Sequence, residues 1–362
     1  MKILILGSVA LPVPPPMQGG TERIAWWQAT GLAKRGHEVT LVAAQGSKKD
    51  PAYHLVEIGG GDTVVGSVNE KNETTVYTEG SRKMRKESIY LAQVEEYILM
   101  HGKEYDVILN NMRAGESLFV PAAKAVGVAY ATVMHLPIFT ELAEFFRAHN
   151  TAVITISNAQ RQGFDGLNYI GTVYNATDLS ELPFNATPKG YLLMMGSIAP
   201  HKNQKDGILA AKAVNKKIVM AGKIGNQAYW DAEIAPLVDG KMVVHEGELG
   251  IGEKAALLAN ADALLFPIVW PEPFGLVMIE AMASGTPVVA YGNGAVPEVV
   301  VEGKTGFIVD ESQGVEGLAM AVKRVGEIDR SACRKYVEEN FTVEKMIESL
   351  EQSLVNASSP IQ

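Results

Sequence analysis

One cysteine, Cys333, is all that the 362 residues contain. No disulfide can close within the chain, which fits a reducing compartment and excludes the disulfide-stapled classes. No apolar run approaches the roughly 18 uninterrupted residues that a spanning helix needs. The start, MKILILGSVALPVPPPM, has one lysine and a short apolar stretch, but three consecutive prolines follow. A buried first strand and a loop explain it better than a secretory leader. A soluble, cytoplasmic protein is the expectation, and the N-glycosylation patterns at Asn72, Asn175, Asn185 and Asn356 are then chance matches. Basic charge is not in excess: the net charge of −9 argues against a nucleic-acid binder, while leaving room for a small polyanion in a locally basic pocket. Two nucleotide fingerprints are missing as well. G-x-G-x-x-G does not occur, and VEGKTGF at 301–307 lacks the upstream glycine of a P-loop.

What is present reads as α/β. The hydrophobic fraction is 47% and the charged fraction 20%, ordinary for a globular protein, and the length suits two domains. Continuous apolar runs at 3–7, 38–44, 106–111, 128–135 and 152–157 predict buried strands, with helices over 21–36 and from about Arg82. The pattern restarts with strands at 190–197, 216–222, 242–247, 262–268 and 287–291, and helices around 203–215, 253–261 and 276–284. Alternation of this kind implies doubly wound parallel sheets, covered on both faces. Residues 177–190 are polar and aperiodic and read as an interdomain linker. The predicted division is therefore 1–176, 177–341 and a C-terminal segment 342–362 that packs back toward the first domain. Ligands of such sheets sit at the carboxyl ends of the strands, so the loops there are where chemistry is sought.

Four such loops stand out. MQGGTER (17–23) brings Gly19 and Gly20 to a helix N-terminus, a place for a phosphate; a glycine turn capped by Thr21 is the competing reading. MGSIAPHKNQ (195–204) places Lys202 just before a helix, where it can meet a diphosphate or simply be solvated. His135 closes the run VAYATVMH at the ligand side of its sheet; a core histidine bonded to backbone is the alternative. No further His or Cys lies near it at metal-ligand spacing, so no metal is expected. The fourth is WPEPFGLVMIEAMASGTPVVA (270–290). Glu272 sits ahead of a helix N-terminus and Glu280 about one turn in, and helical side chains lean back toward that end. The amides of Phe274, Gly275 and Leu276 lie between two carboxylates, an arrangement suited to a polyhydroxylated ligand. Otherwise Glu272 only favours the helix dipole and Glu280 faces solvent.

EPFGLVMIEAMASGTPVVA, continuing through YGNGAVPEVVVEGKTGFIV, resembles the donor-site signature of the family-4 retaining glycosyltransferases. GGTER is similar to that family's N-terminal glycine loop, Asn175-Ala-Thr-Asp178 to its interdomain pattern, and FTVEKM (341–346) to the start of its C-terminal helix. The resemblance covers nearly the whole chain. It implies the GT-B fold: two Rossmann-like domains facing across a cleft. It implies a retaining hexosyltransferase of carbohydrate biosynthesis, working from a UDP-, GDP- or ADP-linked hexose onto a sugar, small-molecule or lipid-linked hydroxyl acceptor. Glu280 should then bind the ribose and Glu272 the donor sugar, with the amides of Phe274, Gly275 and Leu276 near its hydroxyls. Lys202, helped by Gly19 and Gly20, should hold the diphosphate, and His135 should contact the sugar. The implied mechanism needs no metal and no cofactor. One departure is Ser197, which stands where the family usually has an arginine. Either Lys202 then works with helix dipoles alone, or His201 assists, or turnover is weak. A catalytically silent nucleotide-sugar-binding protein and a nucleotide-sugar epimerase are the alternatives. Arg82, Lys83, Arg85 and Lys86 cluster on one predicted helix and suit either a solvated face or a peripheral membrane contact. The acceptor is expected near loops 8–18, 59–80 and 136–147.

Overall fold

The computed structural model describes residues 1–15, 19–63 and 73–358. The chain divides into two compact units, Met1–Tyr174 with Val343–Gln362, and Asn175–Thr342. In the first unit seven strands form one parallel sheet: β1 (Lys2–Ser8), β2 (Glu38–Ala43), β3 (His54–Glu57), β4 (Val107–Asn110), β5 (Ala129–Met134), β6 (Ala152–Thr155) and β7 (Tyr169–Thr172). Their order is β3-β2-β1-β4-β5-β6-β7. The central strands bury Leu4, Ile5, Leu41, Ile108 and Leu109 completely, as a sheet covered on both faces demands. The helices are α1 (Gly20–Lys34), α2 (Glu73–His101), α3 (Glu116–Val126) and α4 (Thr140–His149).

The second unit has six parallel strands: β8 (Tyr191–Met195), β9 (Lys217–Ala221), β10 (Val243–His245), β11 (Ala263–Phe266), β12 (Val288–Tyr291) and β13 (Gly306–Val309), in the order β10-β9-β8-β11-β12-β13. Around them run α5 (Gln204–Ala213), a single turn α6 (Gln227–Tyr229), α7 (Ile251–Asn260), α8 (Leu276–Ala283), the short α9 (Val296–Val299), α10 (Gly314–Arg324) and α11 (Arg330–Asn340). The last helix, α12 (Val343–Ser358), belongs to the first unit and lies on α1. Its Ile347, Leu350 and Leu354 are buried, and Arg35 and His37 both reach Glu351, at 2.6 and 2.7 Å. Gly31 permits the approach, since a Cβ there would meet Ile347 at 2.5 Å.

The structure departs from the sequence reading in three ways. Residues 177–190 are not a linker. Asn185 donates to Asn260 Oδ1 at 2.9 Å and its carbonyl accepts from the buried Arg330 at 2.7 Å, while the Lys189 amide donates to the Asn260 carbonyl at 2.8 Å. The segment is thereby part of the second unit, and the chain passes between units at 174/175 and 342/343. Residues 136–147 are not all loop either, because α4 begins at Thr140; likewise 73–80 are helical, while 64–72 and 16–18 lie outside the described residues. Finally, β3, β7 and β13 were not foreseen. All three are edge strands; β3 and β7 are less apolar than the centre, and β7 and β13 contain glycine.

Candidate active site

Both sheets reverse direction of winding at one point. In the first, β1 leads through α1 to β2 on one side and β4 leads through α3 to β5 on the other, so the crevice opens between β1 and β4. In the second the corresponding crevice lies between β8 and β11. Open α/β sheets bind ligands at these places.

The second crevice holds a charged pair. After β8 the chain makes a 3₁₀ turn, Pro200–Lys202, and Asn203 takes a left-handed conformation (φ 50°) before α5 begins. That projects Lys202, whose Nζ donates to Glu272 Oε2 at 2.6 Å. Glu272 arrives on the loop after β11, and the same oxygen accepts from Trp270 Nε1 at 2.8 Å. Lys202 lies 5.3 Å from the Trp270 ring centroid and 5.7 Å from that of Phe266, so the ammonium is held between a carboxylate and two aromatic faces. The side chains are 23% and 13% exposed, which leaves the pair reachable yet poorly screened.

The backbone around Glu272 is set by a close packing. Ala295 N donates to the Glu272 carbonyl at 2.9 Å, and Gly294 (φ 58°) lies so near that a Cβ would fall 2.4 Å from Glu272 N and O. Next, Phe274 turns inward, fully buried and edge-on to Phe341 (centroids 5.9 Å). Gly275, left-handed at φ 81°, then starts α8, and no side chain caps that helix. The leading amides of α8, including Leu276, therefore point beyond the helix with its partial positive charge.

Glu280, on α8, has a lysine of its own. Its Oε1 accepts from Lys254 of α7 at 2.7 Å, and its Oε2 is buried without a partner among the described residues. Each carboxylate thus has its own lysine. An acceptor oxygen left unpaired at such a place is costly unless a donor meets it. Ser197 follows Gly196 at the end of β8; its carbonyl accepts from Gln204 Nε2 at 3.0 Å. His201 precedes Lys202 in the same turn. Its ring lies edge-on to Trp270 (5.1 Å), and burial, then the Lys202 charge, lowers its pKa, which favours the neutral ring.

In the first unit, Gly19 is the N-cap of α1 and Gly20 its first residue, again with no side-chain cap. Met17 and Gln18 of that motif lie outside the described residues. A pocket lined by Ser8, Thr21, Glu22, Asn111 and Arg113 opens at the β1/β4 crevice. Glu22 is only 2% exposed and is held by Ser8 Oγ (3.3 Å) and Arg113 Nη2 (3.2 Å). His135 follows β5, and its Nε2 meets Asn111 Oδ1 at 2.8 Å. The residue keeps some exposed surface, but protein atoms crowd the ring. That desolvation, then the nearby Arg113 charge, pushes its pKa down to about 3. His135 is neutral at working pH.

An unfolded histidine titrates at 6.5, so below that pH the unfolded chain takes up a proton that the native chain refuses until about 3. The stabilisation is complete above 6.5 and is lost as pH falls toward about 3. Urea unfolding of His135→Gln against pH should show a shallower acid limb, by at most about 1.4 kcal/mol per pH unit.

Residues 179–341 match the family model described as glycosyl transferases group 1. The chain carries a group 1 glycosyltransferase domain. Along 92% of its length it is 26% identical to a glycogen synthase of Mycobacterium tuberculosis, covering 88% of that protein. Its fold is that of the GT-B glycosyltransferases. AviGT4, a glycosyltransferase involved in avilamycin A biosynthesis, superposes with a TM-score of 0.71 at 22% identity, covering 99% of this chain and 98% of that one. HepE of Anabaena, solved with UDP and glucose, gives 0.71 at 18% identity over 98% of this chain and all of its own.

Within this glycosyltransferase domain the sequence reading named Lys202 and Glu272 without foreseeing that they touch. It missed Trp270 and Lys254, which orient the two carboxylates. Trp270 stood at the head of the quoted loop and could have been found as a donor beside an acceptor; Lys254 is one lysine on an ordinary helix and gave no signal. In the first unit it missed Glu22, Arg113 and Asn111. Among the described residues, no helix is long and apolar enough to cross a membrane.

Proposed function

We propose that this glycosyltransferase moves a hexose from a nucleoside-diphosphate sugar to a hydroxyl acceptor, with retention of configuration and without a metal. The observation that carries the reading is the Lys202–Glu272 pair at the β8/β11 crevice, beside the uncapped N-terminus of α8. In the resting protein each charge satisfies the other. A donor replaces that contact with two: the diphosphate takes Lys202, and a sugar hydroxyl donates to Glu272. The amides of Phe274, Gly275 and Leu276 add donors near the sugar, and Gly19 and Gly20 add amides toward the phosphates. Glu280 accepts from a ribose hydroxyl while Lys254 holds its Oε1 in place. His135, neutral, contacts the sugar through a hydrogen bond rather than a charge.

In the chemical step the bond between the anomeric carbon and the diphosphate breaks first, through an oxocarbenium-like state. The acceptor hydroxyl attacks the same face, and its proton passes to the departing diphosphate. Charge grows on that leaving group, so the Lys202 ammonium and the helix N-terminus act where stabilisation differs most between ground and transition states. HepE, which was solved with UDP-glucose, supports a nucleotide-linked donor.

The test is incubation with UDP-, GDP- and ADP-hexoses, with a sugar-alcohol acceptor panel and with EDTA present, assayed for released nucleoside diphosphate. EDTA-resistant release and an α-linked product from an α-linked donor are expected. Ser197 favours one second reading, a binding protein that no longer transfers; binding with no release under any acceptor would select it. The two carboxylates should separate in the same assay. Glu280→Gln is expected to weaken nucleotide binding about tenfold, the loss of one charged hydrogen bond. Glu272→Gln should chiefly lower kcat, and equal effects on both parameters from both variants would show the roles to be divided wrongly.

A further inference from the structure

Three polar side chains lie in line inside the first unit, and the chemistry above uses only the last. Gln28 on α1 is 1% exposed and Asn111, just past β4, is fully buried. Asn111 Nδ2 donates to Gln28 Oε1 at 2.7 Å, and Asn111 Oδ1 meets His135 Nε2 at 2.8 Å. The Asn111 backbone is itself anchored, its amide donating to the Leu6 carbonyl of β1 at 2.8 Å.

Each contact constrains the next. Gln28 Oε1 can only accept, so the facing group of Asn111 is its NH₂. The Asn111 carbonyl oxygen is then the atom turned to His135, and a carbonyl oxygen also only accepts. With both carboxamides turned this way, the imidazole proton sits on Nε2. In a neutral ring, Nδ1 carries the lone pair. Nδ1 has no hydrogen-bond partner among the described residues, and Asn111, which holds the ring, itself lines the pocket at the β1/β4 crevice.

We propose that Asn111, oriented by Gln28, is a positioning residue that locks the His135 ring in its Nε2–H tautomer and presents Nδ1 as an acceptor for a hydroxyl of the bound sugar. The proposal rests on the reading of His135 as a sugar contact. It adds that a donor hydroxyl, not a phosphate or carbonyl oxygen, is the group this ring meets. An anion would find a lone pair there and be repelled. Burying two carboxamides to orient one ring is otherwise unfavourable, since a buried amide is worth its place only when fully bonded.

The experiment is long-range ¹H–¹⁵N correlation on the full chain labelled at histidine, with His135 assigned by the signal that disappears in His135→Gln. The wild type is expected to show a neutral Nε2–H ring from pH 6 to 8. A neutral Nδ1–H ring, or a protonated one, overturns the proposal with no variant needed. Asn111→Leu and Gln28→Met, each checked for a native thermal transition, should give mixed tautomers. Asn111→Asp, which puts a carboxylate beside the ring, should bring His135 protonation into the range above pH 6. With UDP-glucose, GDP-mannose and ADP-glucose as donors, Asn111→Leu is expected to lower kcat about tenfold through misorientation, with little change in nucleotide affinity. If Asn111→Leu scrambles the tautomer while turnover stays and His135→Gln loses it, the positioning role fails. If His135→Gln itself turns over normally, the sugar-contact reading fails instead, while the spectra still decide the tautomer.

Discussion

Replacing Lys202 with alanine is expected to lower turnover on the order of 10²-fold or more, the usual cost of removing one preorganised charge from a developing anion. On the proposed mechanism charge grows most on the departing diphosphate, and with Ser197 where the resembled family usually has an arginine, Lys202 would bear more of it than in an arginine-containing loop. His201 is expected to add little charge, since burial and then the Lys202 charge lower its pKa and favour the neutral ring. The substitution also strands Glu272, whose carboxylate is 13% exposed and would keep only the Trp270 Nε1 donor at 2.8 Å. A partly buried charge without its partner destabilises the fold. Two effects are therefore mixed in one variant, and a double-mutant cycle separates them. Lys202→Ala with Glu272→Gln should recover thermal stability relative to Lys202→Ala alone and recover no turnover. Unchanged release of nucleoside diphosphate by the single variant would remove Lys202 from the mechanism.

Gly294→Ala should be nearly as damaging, although Gly294 has no side chain with which to touch a substrate. An added Cβ would stand 2.4 Å from the backbone N and O of Glu272, and φ 58° is itself unfavourable for an L side chain. Backbone cannot swing aside as a flexible side chain can, so the Glu272 loop must shift. A displacement of about 1 Å at a reacting group costs on the order of 10²-fold in rate. The ion pair with Lys202 would lengthen with it. The measurement is kcat beside thermal unfolding: loss of turnover with the second unit still folding cooperatively is the expected pattern. Gly303, also at positive φ but with open space around its would-be Cβ, is the control, and Gly303→Ala should leave turnover nearly intact.

The elements that sequence patterning found best are the central strands. β1, β4, β8, β11 and β12 are buried on both faces, so they read as unbroken apolar runs whatever their neighbours. The edge strands β3 and β7 are partly exposed and mixed in character, β13 is four residues long and opens on a glycine, and α3 carries Pro121 within the helix, so their patterns are diluted. The polar segment 177–190 read as a linker because its composition is that of one. Arg330, arriving from 145 residues away in sequence, is what binds it into the second unit.

Local chemistry was equally legible in the sequence. A glycine before an apolar helix, a lysine ahead of another and a histidine closing a strand each declare a place where backbone amides, charge or an imidazole reach a crevice. That is determined by neighbours in the chain. Partnership is not. Lys202 meets Glu272 across 70 residues, Asn111 meets His135 across 24 and Gln28 across 83. These encounters depend on the order of strands, β2-β1-β4-β5 in one sheet and β9-β8-β11-β12 in the other, which sets distant loops side by side at the two points where the winding reverses. Strand order is decided by which buried faces pack together, a property of the whole sheet. The sequence by itself determined that a carboxylate, an ammonium and an imidazole stand at strand ends; only the tertiary structure decided which of them hold one another.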